Sequence, residues 1–292
     1  MISGFNEHMV EANGQTIACS TSGGTGPAVL LLHGFPQTRA MWHSIAPALA
    51  ERFTVVAADL RGYGASSKPS GTEPYRFRHM AQDMATLMAA LGHDRFHLVG
   101  HDRGARVAHR LALDHGARVA SLTLMDIVPT HLLLTELRHE VARAYYHWFF
   151  LAQPYPKPER MIGADPDAYF ESLLGAWGPD GLAAFHPDAL AAYRAAWRLP
   201  DTIRGMCADY RAALDHDVVD DAEDLGRRVD CPALVLYGAN GIMARQFDVP
   251  GTWADRLAGM RSAAIPGGHF FPDTAPVATT EALLAFLGES EF

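Results

Sequence analysis

The sequence is short of cysteine, short of positive charge and without a long apolar run, and each shortage excludes something. Cys19, Cys207 and Cys231 are far apart and form no Cys-x-x-Cys pair. So odd and dispersed a set supports neither a disulfide framework nor a zinc site, and a reducing cytoplasm is the expected compartment. Lys and Arg number 24 against 33 Asp and Glu, a formal net charge of -9. Nucleic acid and anionic membrane are therefore poor partners, and any anionic ligand would need a local cluster of arginines. The N-terminal MISGFNEHMV lacks the charged-then-apolar order of a secretion signal, and no apolar run approaches the length of a membrane span. The acidic run from Asp215 to Asp224 lacks the glycine and spacing of a calcium loop and reads as a solvated connection. No metal and no cofactor is expected.

What is present is an apolar content of 49% over 292 residues, enough for one large core domain with an insertion. Asn13-Gly14 between two extended segments signals a hairpin. Short apolar runs follow at Ala28 to Leu32, Thr54 to Ala58, Phe96 to Val99 and Leu122 to Met125, and again at Ala233 to Tyr237. Helical patterns alternate with them, one of them carried by Met80, Met84, Leu87, Met88 and Leu91. This alternation predicts an α/β fold with a mostly parallel, doubly wound sheet. Strand signals stop after Pro129 and return only after Leu214. The intervening stretch is rich in aromatics, such as Tyr145, Trp148, Trp177 and Tyr193, and in helix formers. It predicts a helical cap over residues 130–214, with a core domain formed by residues 1–129 and 215–292.

One strand end dominates. Val99-Gly100-His101-Asp102-Arg103-Gly104 joins an apolar strand to a helix through a Gly-x-nucleophile-x-Gly turn, a nucleophile elbow. The central residue is Asp102, neither Ser nor Cys. Asp126 ends the next strand, and His269 sits in the loop Pro266-Gly267-Gly268-His269. Nucleophile, acid and histidine thus occur in the chain order of a hydrolase triad. The other usual place for the acid, after Tyr237, holds Gly238-Ala239-Asn240-Gly241, so Asp126 is the expected partner of His269. With a reference pKa of about 3.9, an aspartate is ionised at neutral pH and attacks without a base. A carboxylate suits displacement at a saturated carbon, giving an ester that His269-activated water then hydrolyses. The backbone N–H groups of Phe35 and Arg103 are expected to form the oxyanion hole. Arg103 and Arg106, one helical turn apart beside the elbow, suit a substrate carboxylate. Without them, two unit charges about 4 Å apart would repel by about 4 kcal/mol at an effective dielectric of 20.

These residues carry a resemblance. The segments HGFPQT (from His33), DLRGYGASSKP (from Asp59), GHDRGARVAHRLALDH (from Gly100), DIVPT (from Asp126), YYHWFFLAQP (from Tyr145), CADYRA (from Cys207) and GGHFFPD (from Gly267) resemble those of fluoroacetate dehalogenases. These belong to the α/β-hydrolase superfamily, with haloalkane dehalogenases and epoxide hydrolases. The combination of HDRGAR with YHWFF is the specific part. The resemblance implies Asp102 as nucleophile, His269 as base and Asp126 as its partner. It also implies Arg103 and Arg106 on the substrate carboxylate, and His147, Trp148 and Tyr210 on the departing halide. A homodimer acting on a small halogenated carboxylate is implied too. Arg103 stands where haloalkane dehalogenases and many epoxide hydrolases carry Trp, which counts against both. Three alternatives stay open at this point. One is an epoxide hydrolase using Tyr146 or Tyr210 as acid, another a haloacid dehalogenase preferring chloride, and the third a non-catalytic binding protein of the same fold.

Overall fold

The computed structural model describes residues 2–177 and 181–289. Eight strands form one sheet: β1 (Asn6–Ala12), β2 (Gln15–Thr21), β3 (Ala28–Leu32), β4 (Thr54–Ala58), β5 (Phe96–His101), β6 (Val119–Met125), β7 (Ala233–Gly238) and β8 (Met260–Ile265). Their spatial order is β1-β2-β4-β3-β5-β6-β7-β8. The hairpin β1–β2 and the β2–β4 pair are antiparallel, and all other pairs are parallel. Strands β3, β4, β5 and β6 are buried at every residue, which explains their unbroken apolar runs: helices cover both faces. From β3 the chain moves outward to β4, then returns to the other side of β3 as β5. The strand order therefore reverses between the carboxyl ends of β3 and β5, where a doubly wound sheet opens a crevice. Phe35 follows β3 and Asp102 follows β5, so topology alone brings them together.

Between β6 and β7 the described elements are helical, including Tyr146–Leu151, Pro187–Trp197 and Pro200–Ala212. The helical run does not end at residue 214. It passes through a π-helical turn at Ala213–Asp217 into a further helix at Val218–Glu223. The acidic run is therefore not the solvated connection its composition suggested. Asp217, Asp220, Asp221 and Asp224 are all buried. Asp217 accepts from the Phe77 backbone N–H at 2.8 Å, Asp220 from Arg76 at 2.8 Å, and Asp221 from Arg256 at 3.0 Å, while Asp224 pairs with Arg110. Each carboxylate has a cation or a backbone donor brought from elsewhere in the chain, which is what makes its burial tolerable. The three cysteines are unpaired. Among the described residues, no helix is long and apolar enough to cross a membrane.

One half-buried contact ties the helical insertion to the sheet domain. Tyr193, on Pro187–Trp197, donates its hydroxyl to Asp273 Oδ1 at 2.9 Å, and Gln37 Nε2 donates to Asp273 Oδ2 at 2.5 Å. Burial pushes the Asp273 carboxyl up to about 7, and these two neutral donors only partly oppose it. An acid raised in the folded state adds stability at low pH and loses it as pH climbs from the ordinary carboxylate range through about 7. Asp273→Asn does not titrate, and Gln37 can turn its unpartnered Oε1 toward the new amide. The variant is expected to melt no higher than wild type at pH 4 and higher than wild type at pH 8. Thermal melts across that range check this, and a gap that stays constant with pH would refute it.

Candidate active site

The elbow is built by strain and close packing. Asp102, between β5 and the helix Arg103–Asp114, has φ 48° and ψ -114°, in a region that side chains rarely adopt. A Cβ on Gly104 would lie 2.4 Å from the His33 carbonyl oxygen, so only glycine lets this helix begin so close to β3. A Cβ on Gly34 would lie 2.5 Å from the Asp102 Cβ, so glycine also keeps room for the carboxylate. The Phe35 N–H donates to Asp102 Oδ1 at 2.9 Å. Arg103 is the first helical residue, where an N–H has no acceptor within the helix. Asp102 is 5% exposed. Burial would raise its pKa, but the positive charge of His269, His101, the Phe35 N–H and Arg103 together bring it down to about 2. It is ionised at any working pH.

Asp126 follows β6 with φ 52°. Its Oδ2 accepts from His269 Nδ1 at 2.7 Å, and its Oδ1 accepts from the Gly238 N–H at 2.8 Å. The position at the end of β7 that lacks an acid thus supplies a backbone donor that orients Asp126. His269 Nε2 faces Asp102 Oδ2 at 3.7 Å and has no hydrogen-bond partner among the described residues. Burial lowers the pKa of this imidazole, but the hydrogen bond and charge of Asp126, with the charge of Asp102, outweigh that and raise it above its ordinary value.

Arg103 and Arg106 both project into the same buried region, though on different supports. Arg103 Nε donates to Asp209 Oδ2 at 2.9 Å, and its Nη2 pairs with the other carboxylate oxygen of Asp209. The rings of Phe77 and Tyr210 lie 4.6 and 4.5 Å from its guanidinium carbon. Arg106 has no carboxylate in contact among the described residues. Its Nη1 donates to the Val128 carbonyl at 3.1 Å and to Thr130 Oγ1 at 2.8 Å. Burial lowers its pKa to about 10, against the charge of Asp102 and with the repulsion of Arg103. Trp148 lies 5.1 Å from the Arg103 guanidinium carbon and 4.9 Å from that of Arg106. Two N–H groups, Arg103 Nη1 and Arg106 Nε, are buried with no partner among the described residues.

The remaining expected residues gather over Phe35. His147 stacks on the Phe35 ring at 5.5 Å, and Tyr210 meets it edge-on at 5.0 Å. Tyr210 in turn meets Trp148 at 5.2 Å. Burial pushes the His147 imidazole down to about 3, so it is a neutral group. Its Nδ1 and the Tyr210 hydroxyl are buried without partners. Tyr146 is not part of this group: it is 44% exposed.

Several residues at the site carry no signal that local pattern reading uses. Asp209 is the counter-ion of Arg103 across 106 residues of chain and also accepts from the Tyr63 hydroxyl at 2.6 Å. Trp177 lies 4.7 Å from His147 and 5.2 Å from His269, and its carbonyl accepts from the His269 N–H. Thr130 and Asp209 do fall inside the matched segments DIVPT and CADYRA, which is where they could have been found.

A buried carboxylate on a strained elbow, an aspartate-held histidine and a switch-point crevice together define an α/β hydrolase. The family model described as the alpha/beta hydrolase fold matches residues 27–276. A fluoroacetate dehalogenase from Burkholderia sp. is 52% identical over 99% of this chain and 96% of its own length. A soluble epoxide hydrolase from Corynebacterium sp. (strain C12) is 30% identical over 98% of this chain and 95% of its own. A crystal structure of an alpha/beta hydrolase from Nostoc sp. PCC 7120 superposes with a TM-score of 0.96, at 48% identity over 99% of this chain and all of that one. The chain belongs to the haloacetate dehalogenase family of α/β hydrolases, and it is a hydrolase.

Proposed function

We propose that this chain hydrolyses haloacetates, converting fluoroacetate and water to glycolate and fluoride. The observation that carries the reading is the pair of buried, unpartnered guanidinium N–H groups, Arg103 Nη1 and Arg106 Nε, beside an ionised buried carboxylate. Guanidinium forks match a carboxylate, and a carboxylate substrate needs that compensation to approach Asp102. In this reading Asp102 attacks the carbon bearing the halogen, forming an ester as the carbon–halogen bond breaks. The halide leaves among His147, Trp148 and Tyr210, three neutral donors that replace the water a small anion must lose. Alkylation removes the charge of Asp102. That charge helps hold the His269 pKa up, so losing it favours the neutral imidazole needed as base in the second step. Water then attacks the ester carbonyl carbon, His269 Nε2 takes its proton, and the Phe35 and Arg103 N–H groups receive the oxyanion. Glycolate leaves and Asp102 is restored.

The half-exposed position of Tyr146 weighs against an epoxide hydrolase, because it takes one proposed acid away from the site. The helical insertion acts as the cap of this reading, over residues 130–214. A homodimer in the cytoplasm belongs to the same proposal. An ion-selective electrode reading of halide release from fluoroacetate, chloroacetate and bromoacetate tests it. Release from none of the three overturns the proposal, and faster release of chloride shifts the assignment to a chloride-preferring haloacid dehalogenase.

A further inference from the structure

The proposed function gives a partner to most of the unpartnered polar groups in the buried site. Arg103 Nη1 and Arg106 Nε take the substrate carboxylate, His147 and Tyr210 take the halide, and His269 Nε2 takes water. Two groups are left over, His101 Nδ1 on the elbow strand and the Tyr145 hydroxyl, and the second is the one on the cap side. Tyr145 is 4% exposed, and its hydroxyl is buried with no partner among the described residues. Its ring meets His269 edge-on at 6.2 Å and lies 5.6 Å from His147 and 5.2 Å from Trp177. Burial raises the pKa of its phenol well above the ordinary value. The charges of Asp126 and Asp102 raise it further against that of Arg106, which keeps the hydroxyl neutral.

A buried hydroxyl without a partner is costly, and an orphan beside a catalytic base is a place where an ordered water is bound. The halide donors pack elsewhere: the rings of His147 and Tyr210 lie against Phe35, whereas the Tyr145 ring lies against His269. We infer that the Tyr145 hydroxyl positions the hydrolytic water against His269 Nε2, an inference that rests on the proposed dehalogenase reading. The water gives one O–H to His269 Nε2 and the other to Tyr145 Oη. A lone pair of its oxygen then faces the carbonyl carbon of the Asp102 ester. As the new C–O bond forms, the first proton passes to His269 and the carbonyl electron pair moves to its oxygen. Collapse breaks the bond to the alkyl oxygen, His269 returns the proton to the leaving glycolate alkoxide, and the new Asp102 carboxyl, with its low pKa, releases the second water proton to solvent. Tyr145 gives up no proton at any point. It acts only on the second half-reaction.

Rapid quench with Tyr145→Phe and fluoroacetate tests this, because the variant loses one oxygen and the first half-reaction reports whether the site is intact. The expected result is a first-turnover fluoride release equal to that of wild type, with steady-state turnover reduced about 10–100-fold. Intact-protein mass spectrometry should then show the ester accumulating on Asp102. Loss of first-turnover release in parallel with steady-state turnover would make Tyr145 a halide donor or a packing residue and overturn the inference. So would an unchanged steady state. Wild type that releases no halide and carries no ester would overturn the dehalogenase reading itself, and this inference with it.

Discussion

Replacing His269 with asparagine is expected to leave the enzyme able to take one turn of halide release and unable to take a second. Asp102 needs no base to attack, because it is already ionised with a pKa near 2. Water at the ester that forms is activated by His269 Nε2, the triad nitrogen left without a partner among the described residues. Loss of a general base costs about 10²–10⁴ in rate. The measurement is the mass of the intact protein after a pulse of haloacetate, with fluoride counted per site. A variant that neither releases halide nor gains mass refutes the covalent route. The pH dependence follows from the same assignment. The imidazole pKa is raised in the free protein, so acid keeps His269 protonated while Asp102 stays ionised. Wild type at low pH is expected to resemble His269→Asn, with ester accumulating as pH falls. Steady-state turnover should recover as pH rises through the imidazole pKa of the ester, which lies below that of the free protein because Asp102 has lost its charge.

Asp102→Asn is expected to abolish turnover and yet bind substrate more tightly than wild type. The amide cannot displace a halide, and it removes the negative charge that a haloacetate must approach. For charges about 4 Å apart that repulsion is on the order of 4 kcal/mol at an effective dielectric of 20, an upper figure because the variant also loses a charge that raises the His269 pKa. A gain of 10-fold or more in affinity for fluoroacetate corresponds to about 1.4 kcal/mol of it. Isothermal titration of the variant against wild type with glycolate, which cannot react, measures the difference. Weaker binding by the variant would mean that Arg103 and Arg106 do not hold the carboxylate beside residue 102.

What could be read from the sequence was whatever a strand end displays locally. The elbow glycines, Asp102, Asp126 and His269 each follow a short apolar run, and a doubly wound sheet collects such positions at one edge. The residues that support them were not legible in this way. Asp209 reaches Arg103 from the helix Pro200–Ala212, and nothing near either residue in sequence announces the pair. The acidic run misled for a related reason. A row of carboxylates looks solvated until Arg76, Arg110 and Arg256 are folded onto it from three other segments. Asp273 and Tyr145 fall inside recognisable motifs, but the partner of the first and the burial of the second depend on the helical insertion closing over the sheet.

Arg106 separates what the fold needs from what the chemistry needs. Its guanidinium is buried on a carbonyl, a hydroxyl and an indole, with no carboxylate in contact among the described residues. Buried charge of this kind is often matched or bettered in stability by an apolar side chain of similar size. In the proposed function an incoming carboxylate relieves this cost, so part of the affinity for substrate would be stored as lost folding stability. Selection for thermal resistance alone would remove Arg106 early. Heat-stable variants recovered without an activity screen will tend to be those that have given up their substrate.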